Sequence, residues 1–111
     1  MATITNEYMM EMLTKVKAYT IVILKAGPNI HTPERQQIIW EHARRNFELR
    51  QDGLLHIVCP VSDDSGVSGV GIFNAGTDKV KAIMDEDPGV QKGVFIYEMH
   101  PCRSFPGDSL K

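Results

Sequence analysis

A chain of 111 residues, 42 % hydrophobic and 23 % charged, is long enough to bury one core without disulfides or metal, and its composition is that of an ordinary globular domain. The formal net charge of −2 gives no electrostatic footprint for nucleic acid or an anionic membrane, no apolar run reaches the ~18 residues of a membrane span, and two cysteines are too few for a disulfide scaffold. No basic region followed by a continuous apolar one opens the sequence, so a cytoplasmic protein with neither nucleic-acid nor membrane partners is expected.

Thr5 to Lys17 predicts a short amphipathic helix with Met9, Met12, Leu13 and Val16 at helical spacing. "AYTIVILKAG" follows, β-branched and closed by Gly27-Pro28, and reads as a buried strand. Thr32-Pro33 predicts an N-cap and a first-turn proline for a long helix from Pro33 to about Asp52, stopped by Gly53. "LLHIVCPV" and "VGIFNA" predict two strands joined by the polar loop "SDDSGVSG". Thr77 is expected to cap another helix with the stripe Val80, Ile83 and Met84, which Pro88 ends. "GVFIYEMH" predicts the last strand, and the tail "PCRSFPGDSLK" reads as irregular.

With right-handed crossovers, the order β-α-β-β-α-β is the split β-α-β arrangement of an α+β, ferredoxin-like sandwich, preceded here by an extra N-terminal helix. Residues 1–17 form that extension, 18–105 the domain and 106–111 a tail. Both domain helices then cover one sheet face. Alternate positions such as Ile21, Ile23, Ile57, Phe73, Phe95 and Tyr97 place apolar side chains on both faces, so the uncovered face predicts association. A homodimer packed sheet against sheet is expected, with the N-terminal helix as an alternative cover.

On the long helix, Ile39, Trp40, Ala43 and Phe47 share one arc and are expected to be its buried stripe. Glu34, Glu41, Arg45 and Glu48 fall opposite, with Glu41 and Arg45 at the spacing of a surface ion pair. His42 lies at the border, beside Ile38 and Leu49 and one turn before Asn46, where an imidazole is half-shielded yet reachable. Its unperturbed titration near neutrality suits proton transfer. A second oddity is Asp85-Glu86-Asp87, three carboxylates in what reads as the last turn of a helix, where an acid costs roughly 0.3–1 kcal/mol. In this topology Asp87 reaches the same rim as His42. A carboxylate accepting from one ring nitrogen would fix the tautomer and leave the other as a base. Asp85 and Glu86 are expected to be merely solvated.

"HARRNFELRQDGLL" followed by "CP", and later "DEDPGVQKGVFIYE", resemble the signature of the YCII-related (YciI-like) proteins over roughly residues 18 to 105. The family pattern is a histidine in the first helix, Gly-x-Leu, a Gly-Pro after the second strand, and a late Asp-Pro followed by Gly-Val. The resemblance implies a ferredoxin-like dimeric α/β barrel with a catalytic histidine/aspartate pair, which falls on His42 and Asp87, with Gly93 as the glycine after Asp-Pro. Asn46, Cys59, Gly93 and Arg45 are the expected substrate-binding residues, Arg45 as a group that orients an anion. Two departures stand out. Cys59 replaces the family's glycine before proline, placing a thiol where the family has backbone alone, and the N-terminal helix is additional.

His56-x-x-Cys59 and His100-x-Cys102 suggest a zinc set, but residues three apart on one strand point to opposite faces, so no metal is expected. No base stands near Cys59 in sequence to make it a nucleophile. "GVSGVG" joins two strands and has no lysine, so it reads as a hairpin loop rather than a nucleotide loop. The expected function is therefore that of a cofactor-independent acid–base enzyme, an isomerase or lyase type acting on a small organic molecule through His42 and Asp87. Two other classes stay open: a non-catalytic dimer that binds a small ligand, and an accessory subunit of a larger assembly.

Overall fold

The computed structural model describes all residues from Met1 to Lys111. The chain forms α1 (Asn6–Leu13), β1 (Lys17–Ala26), α2 (Arg35–Gln51), β2 (Leu55–Pro60), β3 (Val67–Phe73), α3 (Thr77–Asp85), α4 (Pro88–Gln91) and β4 (Phe95–Ser104). The strands make one antiparallel, open sheet in the order β2-β3-β1-β4, an α+β arrangement compatible with a ferredoxin-like sandwich. No helix is long and apolar enough to cross a membrane.

The core is thin and one-sided. Thr20, Val22 and Leu24 alternate inward along β1 and meet Phe73 of β3 and Phe95 of β4. Leu49 of α2 and Val80 and Met84 of α3 close over them. Each such side chain contributes roughly 1.5–3 kcal/mol on burial. Thr20 satisfies its buried hydroxyl by donating to the Ala75 carbonyl at 2.7 Å. The opposite sheet face carries Ile21 and Ile23 beside Ile72 and Val70, with Ile57 and Cys59 beyond them, and no helix of this chain covers it.

Four expectations are corrected. First, β4 runs on through Pro101 to Ser104, so the first four residues of the supposed irregular tail are strand. An edge strand tolerates proline because half of its N–H groups lack a strand partner. Second, α2 begins at Arg35 rather than Pro33. Thr32 gives its hydroxyl to the Glu34 carboxylate instead of capping the helix, and Glu34 stands at the N-cap without a side-chain cap bond. Third, the N-terminal helix does not cover the open sheet face, for none of its residues is buried.

Fourth, α2 buries only one edge of the expected stripe. Trp40 and Phe47 are 64 % and 65 % exposed, whereas Ile39 packs against the core beside Ile38, and His42 and Leu49 face inward. The sequence offers two apolar stripes on this helix, and periodicity alone does not say which one meets the sheet. The stripe that wins is the one that also brings His42 to a buried acid.

Asp85 is not merely solvated. Its carboxylate accepts from Lys81 Nζ at 2.6 Å and from the Tyr97 hydroxyl at 2.7 Å, tying the end of α3 to β4. Burial first, and then the bond to Asp85, push the Tyr97 phenol from 10.0 up to about 12. A group whose folded-state pKa is raised loses its stabilising contribution as pH climbs between those values. Stability measured by urea denaturation is therefore expected to fall from pH 10 toward pH 12, and Tyr97→Phe is expected to remove that part of the decline.

Candidate functional site: a histidine, a buried aspartate and an asparagine

Asp87 explains the crowded carboxylates, and not as the sequence suggested. The helix α3 ends at Asp85 with Glu86 as its C-cap, so Asp87 lies beyond it in extended backbone (φ −67°, ψ 132°). There it is the N-cap of α4, with Pro88 at the first helical position. Its Oδ2 accepts from the Gly89 and Val90 backbone N–H groups at 2.9 and 3.2 Å. Asp87 thus sits at the favourable, positive end of a helix rather than the unfavourable one.

With Oδ2 committed to the backbone, Oδ1 is aimed at α2 and lies 2.8 Å from His42 Nδ1. Asp87 is 1 % exposed and the His42 side chain 11 %. A buried carboxylate holding two backbone donors is an acceptor, so the proton between the pair belongs to His42 Nδ1. The other ring nitrogen, Nε2, then carries a lone pair and lies 3.2 Å from Asn46 Nδ2, one helical turn further on. The imidazole also rests against the Phe95 ring, centroids 4.9 Å apart and planes tilted by 52°.

The Asn46 amide is adaptable. With the neutral ring it donates to Nε2. Turned over by half a rotation, its carbonyl oxygen accepts from Nε2–H of an imidazolium. Asn46 therefore meets either protonation state, and as a side-chain group it yields to a competing ligand. Arg45, expected on the solvated face and paired with Glu41, instead lies half-buried with its guanidinium 3.9 Å from Asp87 and 4.0 Å from Glu86. Glu41 pairs with Arg44 at 3.2 Å.

The remaining candidates are not brought to the imidazole. Cys59 is exposed on the open sheet face, opposite the helices. Gly93 makes a turn with φ +72°, and its carbonyl accepts from the Asn29 N–H at 2.8 Å while the Asn29 side chain donates to Lys92 at 3.0 Å. A Cβ at Gly93 would stand 2.7 Å from Asn29 Nδ2, so this glycine serves the path of the backbone. No three His, Cys, Asp or Glu side chains converge as a metal site would require.

Two contributors escaped the sequence reading. Phe95 was placed only as a strand residue, although its inward register sets it against His42. Gly89 is needed because a Cβ there would meet Phe95 Cδ2 at 2.5 Å and Asp87 Oδ2 at 3.0 Å. The signal for both lay in "DPG", which reads as N-cap, first-turn proline and a close-packed position once Asp87 is taken as a helix start.

An open hollow of about 770 Å³ is lined by Asn29, His31, Thr32, Glu34, Ile38 and Lys92 together with Pro28. It adjoins the pair through Ile38, one turn before His42, but neither His42 nor Asp87 lines it. Comparison of the chain with protein-family models and with curated proteins gives no match.

Gly89→Ala is expected to displace the Phe95 ring and loosen the Asp87 cap, lowering stability by about 1–3 kcal/mol as an overpacked core substitution does. Chemical denaturation measures the loss. The same change at exposed Gly76, where an added Cβ meets nothing within 4 Å, serves as the control.

Proposed function

We propose that this chain is a small cofactor-independent acid–base enzyme of the YCII-related type, acting on a small organic molecule by isomerisation or elimination. One observation carries the reading: His42 donates from Nδ1 to a buried carboxylate, and its basic Nε2 faces only a displaceable side-chain amide. A substrate that takes the place of the Asn46 amide presents its acidic C–H to Nε2. Asp87 holds the ring in the productive tautomer and stabilises the imidazolium as the proton arrives. Arg45, close to the same carboxylate, supplies positive charge for an anionic group. A proton relay of this kind contributes roughly 10²–10⁴-fold, suited to C–H bonds already activated by a carbonyl.

The working unit in this proposal is a homodimer of the dimeric α/β-barrel kind, in which the Ile21, Ile23 and Ile72 face of one sheet meets that of another. The apolar area left uncovered on that face supports it. Both cysteines are unpaired, which suits a reducing compartment such as the cytoplasm.

The second reading, a non-catalytic ligand-binding module, is favoured by one feature of its own. Nε2 is already hydrogen-bonded, and the open hollow at Ile38 lies beside the pair rather than over it. Solvent-deuterium exchange into a panel of small lactones and β-dicarbonyl compounds, followed by NMR, separates the two. The enzyme reading expects exchange of an activated C–H that falls 10²–10⁴-fold in His42→Gln, a variant chosen to keep a polar partner for Asp87. Exchange that survives this change unaltered overturns the mechanism. Size-exclusion chromatography with light scattering is expected to give a mass of at least a dimer, lowered by Ile21→Glu, which removes the sheet-to-sheet contact.

A further inference from the structure

An eight-residue helix standing in water is unstable by itself, since isolated helices shorter than ~12–15 residues are marginal. The helix α1 is eight residues long, contains no buried residue and makes no extensive contact with any other element. Tyr8, Met9, Met12 and Leu13 form its apolar side, and all but half-buried Met12 are exposed. The radius of gyration, 16.4 Å, exceeds the about 13 Å of a compact domain of this size, as expected of a chain with an undocked element. This helix is made to rest on something.

The matching surface is the outward side of α2. Trp40 and Phe47 stand exposed there, two helical turns apart. The stripe from Trp40 to Phe47 is about 10 Å long and α1 about 12 Å. Their charges complement each other. Glu7 of α1 and Arg50 beside the stripe on α2 have no ion-pair partner within the chain, whereas Glu11 and Arg44 are held by Lys15 and Glu41. Exposed aromatic and methionine side chains are those enriched at the centres of protein interfaces.

The linker decides which copy is served. The link from Leu13 to Lys17 spans at most about 14 Å when extended. Docking on the far side of α2 places α1 two layers from β1, about 18–20 Å away. A chain therefore cannot lay α1 on its own stripe. We infer that α1 of one copy docks on the Trp40–Phe47 stripe of α2 in a second copy. The contact stands apart from the acid–base reading and from the sheet-to-sheet dimer, which leaves the outer side of α2 in water.

Trp40 is the only tryptophan, so its emission reports the docking directly. In the intact chain the emission is expected to shift to shorter wavelength as concentration rises. The double variant Met9→Glu, Leu13→Glu is expected to lose the shift, because its helix no longer presents an apolar face. Mixing that variant with a Trp40→Phe chain, which has no tryptophan but an intact α1, is expected to restore it. An emission typical of exposed indole at every concentration overturns the inference. So does a shifted emission that persists in the double variant, which means another occupant, and so does one lost in that variant but not restored by mixing, which means contact within one chain.

Discussion

The hydrogen bond between His42 and Asp87 is the constraint around which the helical layer is arranged. It joins α2 to the short helix α4 across 45 residues of sequence and does so in the interior, where leaving either partner alone would cost about 1–3 kcal/mol or more. Asp87 meets its needs in two directions, two backbone N–H groups through one oxygen and the imidazole through the other. That division of its oxygens fixes the rotation of α2. It turns Ile38, His42 and Leu49 toward the sheet and sends Trp40 and Phe47 outward. The glycines nearby follow from the same demand. Gly89 leaves room for Phe95 and the cap, and Gly93 turns the chain into β4.

A polar pair at the centre of the helical face has a consequence for the rest of the surface. The core beneath it is thin, with nine buried hydrophobic residues on one side of the sheet. Apolar side chains remain in three other places: the open sheet face, the outward side of α2 and the free helix α1. A chain with so much uncovered apolar surface is poorly suited to life as a monomer. The sheet face suits a flat, self-complementary contact, whereas α1 and the α2 stripe suit each other.

Much of this was legible in the sequence because local rules and tertiary structure agree. The β-branched run "TIVILK", the glycine stop at Gly53 and the helix from Thr77 follow from short-range chemistry, although Gly76 and not Thr77 is that helix's N-cap, and so does the strand order that β-α-β-β-α-β implies. The meeting of His42 and Asp87 was legible too, since a border histidine and an acid beside Pro88 reach the same rim in that topology. The reason given for it was wrong. Asp87 is not a misplaced acid at a helix end but a well-placed one at a helix start, and a four-residue helix is too short to leave a periodic signature. The inward face of α2 was misread because both faces carry large apolar residues, and only the buried polar pair distinguishes them. The part of β4 beyond His100 was missed because proline reads as a breaker where an edge strand accepts it.

Chemically, the site is an imidazole with one ring nitrogen on a buried carboxylate and the other against an amide that can reverse. Everything proposed about function depends on which nitrogen carries the proton. Nitrogen-15 NMR of the His42 ring near neutral pH tests this most directly. Protonated Nδ1 with a slowly exchanging proton and unprotonated Nε2 is the result expected when Asp87 accepts from the ring. A ring protonated at Nε2 alone, or one averaging freely between tautomers, would contradict it.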